Sequence, residues 1–239
     1  MCKHYNRNCK LLANCCNKVF ECRICHDEYY ENRKDYHILN RHKIEEIVCN
    51  ICNTKQSISK KCIKCNIIFG LYFCSICNLY DNDISKKQYH CDKCMICRVG
   101  GRNNFYHCDK CNSCISINMK NNHTCINNTF HNECPICLED IFNSIKQVTI
   151  MKCGHTIHQK CFIELVKSNI RCPLCNKSVI DTTLYNTYIE NEINMTPMPE
   201  EYKYNVDILC NDCNKLSNTK FHIIGHKCEY CDSYNTVQK

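Results

Sequence analysis

Cysteine recurs along this chain as C-x-x-C pairs with histidines close by, and that habit constrains the fold more than any other feature. The chain has 239 residues and 29 Cys, about 12% of the total, a density that marks a protein scaffolded through its cysteines. The 44% hydrophobic content counts those Cys, so carbon side chains supply only about 32%, and there is no Trp. Small units with so little apolar bulk need covalent or metal staples. Disulfides require a secretory route, and the opening "MCKHYNRNCKLL" has no apolar run of signal-peptide length. The Cys count is odd, and thiols in a reducing compartment stay free to bind metal. The expectation is therefore zinc, in an intracellular protein of the cytoplasm or nucleus. The longest apolar stretch, "IIFGLYF" at 67–73, is too short to span a bilayer, so no membrane partner is expected.

The clearest N-terminal unit joins Cys49 and Cys52 to Cys62 and Cys65, two knuckles facing one metal. Cys2, His4, Cys22 and Cys25 make a second tetrahedral set; Cys15, Cys16, His26 and His37 make a third, threaded through the second. Spacing alone permits exchanges among these eight. Cys9 and His42 are left over, with Cys9 read as a small packing residue.

The middle of the chain carries "QYHCDKCMIC" at 88–97 and "FYHCDKCNSC" at 105–114, the same hexapeptide 17 residues apart. Self-contained H-C-x-x-C-x-x-C sites would strand Cys74, Cys77, His123 and Cys125. Neighbours such as His90 and Cys91 also tend to point apart on a strand. The favoured reading is interleaved. Cys74 and Cys77 join Cys91 and Cys94; His90 and Cys97 join Cys108 and Cys111; His107 and Cys114 join His123 and Cys125. Toward the C-terminus, Cys210 and Cys213 with Cys228 and Cys231 have zinc-ribbon spacing. His131, His222 and His226 read as surface or supporting residues.

With the segment 134–175 included, every Cys but Cys9 and eight His fill nine sites of four ligands. Sites saturated by protein ligands are structural; a catalytic zinc keeps a position open for water. Twenty-eight thiolates against nine divalent ions contribute −10, so the formal +7 becomes about −3. That correction weakens the case for nucleic acid as a partner, as does the absence of a sustained basic stripe for phosphate.

The whole chain resembles the RING finger and CHY zinc finger family of ubiquitin ligases. The matching stretches include "CKHYNRNCKLLANCC", "CRICHDE", "FGLYFCSIC", "CPICLEDIF", "CGHTIH", "CPLCNKS" and "DILCNDCN", in family order. The fold class implied is a string of small zinc-stabilised modules, irregular, with short strands and few helices. These are a CHY zinc finger (1–67), a CTCHY-type zinc finger (69–132), a RING (133–176), a linker with a helix (177–204) and a zinc ribbon (205–239). By the RING rule the sites cross: Cys134, Cys137, His158 and Cys161 hold one zinc, and Cys153, His155, Cys172 and Cys175 the other. The resemblance implies ubiquitin transfer to lysines, with a ubiquitin-conjugating enzyme, ubiquitin and protein substrates as partners. Ile136, Leu165 and Pro173 are the implied contacts with the conjugating enzyme. Two departures stand out: Leu165 replaces the usual Trp, and Asn176 stands where many RINGs carry a basic residue. The alternatives are a nucleic-acid-binding adaptor and a RING scaffold without ligase activity.

Overall fold

The protein is described by a computed structural model covering residues 2–239; Met1, the first residue of the expected CHY module, lies outside the described residues. One local device recurs throughout. At nine C-x-x-C knuckles the residue after the second Cys is left-handed: Asn53, Asn66, Asn78, Met95, Asn112, Leu138, Asn176, Asn214 and Asp232, with φ of 49° to 60°. Its amide turns back to the carbonyl of the first Cys, as from Asn53 to Cys49 at 3.1 Å and from Asn176 to Cys172 at 2.8 Å. Asn and Asp tolerate this region better than other non-glycine residues. The tight turn aims both sulfurs at one point.

The chain divides into two compact units. The first comprises 2–107 with 114–118 among the described residues. It is built on an antiparallel sheet in the order β2-β1-β3-β4, from β1 (Cys9–Ala13), β2 (Lys18–Phe20), β3 (Glu46–Cys49) and β4 (Lys55–Ser57). Leu11 and Ile47 face each other across β1 and β3 and are buried with Cys9, Ala13, Leu39, Ile44, Phe69 and Tyr80. Helix α1 (Arg23–Tyr30) begins at Cys22, whose sulfur accepts the Cys25 amide at 3.4 Å, so one thiol is placed to cap a helix and bind metal. Hairpins follow: β5 (Tyr72–Cys74) with β6 (Leu79–Asp81), and β7 (Tyr89–Cys91) with β8 (Ile96–Arg98). A third pairs β9 (Phe105–Cys108) with β10 (Ser113–Ser116) and contributes residues to both units.

The second unit comprises 108–113 with 119–239. The antiparallel pair β11 (Val148–Ile150) and β12 (Thr156–His158) leads into helix α2 (Gln159–Ser168). Ile141, Met151, Ile157, Leu165 and Val179 are its buried apolar residues here. Helix α3 (Thr183–Met195) ends just before Pro197, as the sequence requires. Last comes a three-stranded sheet ordered β14-β13-β15, from β13 (Asn205–Cys210), β14 (Leu216–Lys220) and β15 (Thr236–Gln238). Among the described residues, three α-helices and fifteen strands of three to six residues are the architecture of zinc-stabilised modules. Among the described residues no helix is long and apolar enough to cross a membrane.

Candidate zinc centres

Among the described residues, nine groups of Cys, His or acidic side chains bring their ligand atoms within 4.8 Å of one another. Three of them are Cys2, His4, Cys22 and Cys25; Cys15, Cys16, His26 and His37; and Cys49, Cys52, Cys62 and Cys65. The spacing within them suits zinc. Tetrahedral bonds of ~2.3 Å to sulfur and ~2.0 Å to nitrogen put sulfurs about 3.8 Å apart and sulfur and nitrogen about 3.6 Å apart. Cys49 and Cys65 are 3.6 Å apart and Cys52 and Cys62 3.5 Å, far beyond the ~2.05 Å of a disulfide. His4 Nδ1 lies 3.5 Å from both Cys22 and Cys25. The far nitrogens are held as metal-bound imidazoles usually are. His4 Nε2 faces Glu28 at 3.2 Å, His26 Nδ1 faces Asp27 at 2.9 Å, and His37 Nδ1 faces the Asp35 carbonyl at 2.7 Å.

The middle sites are interleaved, but in the opposite sense to the spacing-based expectation. Cys74 and Cys77 join His90 and Cys97, and Cys91 and Cys94 join His107 and Cys114. Cys108, Cys111 and Cys125 then lie 3.6, 3.5 and 3.0 Å from His123 Nε2. Each C-x-x-C therefore faces the His and third Cys of the next repeat, not another knuckle. The hairpins explain why. His90 and Cys97 are direct cross-strand partners on β7 and β8, while Cys91 and Cys94 sit at the tip between those strands. Adjacent His90 and Cys91 point to opposite faces and serve different metals. The first hairpin is a third copy of the repeat that sequence reasoning missed. Phe73 pairs with Tyr80 at the two positions that carry His90 and Cys97 one repeat later, and the rings stack at 4.8 Å. A 17-residue step from 73 and 80 to 90 and 97 was the available signal.

In the segment 134–175, Cys137 lies 3.2 Å from His158 Nδ1, with Cys134 and Cys161 beside it. Cys153 and Cys172 lie 3.5 and 3.7 Å from His155 Nδ1, with Cys175 beside them. The two sets cross, as the resemblance implied. At the C-terminal sheet Cys210 and Cys231 are 3.6 Å apart, as are Cys213 and Cys228.

The thiols in these clusters split in acidity. Hydrogen bonding from Cys97 pulls Cys77 down to about 5, from Cys114 pulls Cys94 down to about 4, and from Cys153 pulls Cys172 down to about 5. Their donors Cys97, Cys114 and Cys153 are pushed up by the same bonds. Several thiolates cannot share one small volume unless a cation sits among them. With four protein ligands apiece, such centres hold structure and leave no open position for chemistry.

The residues expected to contact a partner behave differently from one another. Ile136 is 45% exposed and Pro173 is exposed. Leu165 is 9% exposed and turns into the core beneath α2, so it does not present the surface expected of it; Ile163, at 48%, is the exposed apolar residue of that helix. Leu138 and Leu174, which the sequence reading passed over, are 68% and 56% exposed on the two zinc loops. Cys9 belongs to the core, where burial pushes its thiol up to about 12. His42 Nδ1 meets the Ile76 carbonyl at 2.8 Å, and His131 stacks on Phe142 at 4.0 Å. Phe69 is fully buried, and the Tyr72 hydroxyl donates to Cys97 at 3.2 Å, so these aromatics serve the interior.

Family models match three stretches: a CHY zinc finger over 2–72, a RING finger domain over 132–176 and a zinc ribbon over 180–237. Full-length relatives are similar throughout. E3 ubiquitin-protein ligase SRFP1 of Oryza sativa subsp. japonica is 42% identical over 99% of this chain and 90% of its own length. E3 ubiquitin-protein ligase RZFP34 of Arabidopsis thaliana is 42% identical over 99% and 84%. The probable E3 ubiquitin-protein ligase RZFP34 of Oryza sativa subsp. japonica is 45% identical over 99% and 80%. With a CHY zinc finger, a RING finger domain and a zinc ribbon matched in turn, and relatives more than 40% identical over nearly its whole length, the protein belongs to the RING finger and CHY zinc finger family of ubiquitin-protein ligases.

Proposed function

We propose that the chain is a RING-type ubiquitin-protein ligase. It binds a ubiquitin-charged conjugating enzyme through residues 133–176 and substrate proteins through the modules at 1–67, 69–132 and 205–239, with 177–204 as the connecting segment. Nine zincs hold the modules, bound by the 36 Cys and His ligands. The observation that carries the reading is the apolar surface of the RING: Ile136, Leu138, Pro173 and Leu174 are exposed on its zinc loops and Ile163 on its helix. Isolated exposed apolar residues need no explanation, but five on the loops and helix that RINGs offer to conjugating enzymes fit a docking face.

The chain supplies no nucleophile. The substrate lysine amine attacks the thioester carbonyl, an isopeptide bond forms, and the conjugating enzyme's thiol leaves. The contribution of this chain is proximity and orientation. A second reading, a RING scaffold without transfer activity, is favoured by Asn176, which puts no positive charge after the last zinc ligand. The left-handed backbone at Asn176, φ 59°, gives that Asn a conformational reason to be there.

Incubating the purified protein with activating enzyme, ubiquitin and a panel of conjugating enzymes tests the proposal. Autoubiquitination that Ile136→Ala abolishes is expected. Activity with no member of the panel would leave the scaffold reading in its place.

A further inference from the structure

Between the RING and the ribbon, within the second unit, lies a polar cluster that metal binding does not use. The Ser178 amide donates to Asp212 Oδ1 at 2.7 Å, and the Ser178 hydroxyl to Oδ2 at 2.9 Å. Ser233 donates to Oδ2 at 2.6 Å and Asn235 Nδ2 to Oδ1 at 3.1 Å. The same Asn235 nitrogen donates to the Asn176 carbonyl at 2.7 Å. Ser233 and Asn235 are 4% and 6% exposed.

Ser178 closes the RING's second zinc loop. It bridges to Arg171, with Cys172 N–H bonded to the Lys177 carbonyl and Val179 N–H to the Ile170 carbonyl. In that register the Ser178 amide points away from its own hairpin. Asp212, two residues after the ribbon ligand Cys210, takes it instead. Asp212 thus joins two knuckles of different modules, and charge-assisted bonds of this kind are about twice as strong as neutral ones.

We infer that the ribbon is a positioning element of the RING: Asp212 and Asn235 hold the loop 172–178, which carries Pro173 and Leu174, in the pose that meets a charged conjugating enzyme. The inference rests on the ligase reading above. It assigns Asp212 a positioning role, since the carboxylate acts through the loop and touches no reacting atom. It also gives a reason why this RING works with Asn176: stiffness supplied from the ribbon takes the place of a gripping cation.

The full chain carrying Asp212→Asn, and separately Asn235→Ala, tests it. Ubiquitin discharge from a charged conjugating enzyme to free lysine is followed against enzyme concentration, alongside zinc content and amide hydrogen exchange. The discharge rate at subsaturating concentration is expected to fall about tenfold, because the loosened loop carries two residues of the docking face. Amides of 172–178 should lose protection, those of 134–161 should keep it, and zinc content should be unchanged. Full rates in both variants overturn the inference. So does a rate loss that tracks lost zinc in both, which is the mark of a merely structural role. Absence of discharge by the unaltered protein removes the ligase reading itself, a different failure.

Discussion

Single residues in this protein are chosen by backbone conformation as much as by chemistry. Six of the nine knuckle residues at positive φ are Asn and one is Asp, so part of the chain's asparagine content is a positional demand of zinc loops. Met95 and Leu138 are the exceptions, at φ 55° and 60°, and both side chains are exposed. A bulky residue held there is strained, and strain kept at an exposed apolar position fits a binding role. Leu138→Asn is expected to stabilise the RING by roughly 1 kcal/mol, read from its thermal transition, while slowing ubiquitin discharge. Loss of stability, or undiminished discharge, would count against this. Cys9 supports a second prediction. Burial raises its thiol to about 12, from an ordinary ~8.5, so folding favours the protonated form. That contribution is fully present below about pH 8.5 and is lost as pH rises towards the folded value of about 12. At neutral pH the native thiol should resist maleimide, and Cys9→Ala should keep every zinc by metal analysis.

At the scale of elements, the hairpin is the unit of metal binding. A tip knuckle gives two sulfurs to one metal, and the cross-strand His and Cys of the next hairpin complete it. The sequence revealed which residues cluster and favoured interleaved clusters, because a 17-residue repeat with adjacent His and Cys disfavours simple self-contained fingers. It did not reveal which way the interleaving runs. Both senses use the same ligands and both part His90 from Cys91; the choice lies in strand register, which ligand spacing does not encode. The Phe73 and Tyr80 pair marks the sense, since a hairpin capped by rings has no ligands to give backwards. Zinc stoichiometry of double variants decides it experimentally. Cys74→Ser with His90→Ala should cost one zinc, and Cys74→Ser with Cys91→Ser should cost two. The converse result would restore the other pairing.

For the whole molecule, metal stands in for a large apolar core. The crossed RING sites and the ribbon were legible because Cys and His ligands recur at set gaps, even where the members of one site lie far apart along the chain. The contacts of Ser178 and Asp212, 34 residues apart, were not, since serine and aspartate carry no spacing signature. Folding and metal binding share one free energy in such a protein, so chelation should abolish the folded far-UV and exchange signals together. The loaded protein should return nine zincs by metal analysis. It should migrate as a weak anion near pH 7, against the +7 of its formal side-chain charges; cationic mobility would sink the ligand count. The interleaved hairpins also impose an order on synthesis. As the chain leaves the ribosome, the Cys74 knuckle waits for Cys97, the Cys91 knuckle for Cys114, and the Cys108 knuckle for Cys125. At each stage of translation one half-built site trails behind the exit tunnel with its thiols open, so a growing chain of this design draws its metal one hairpin late.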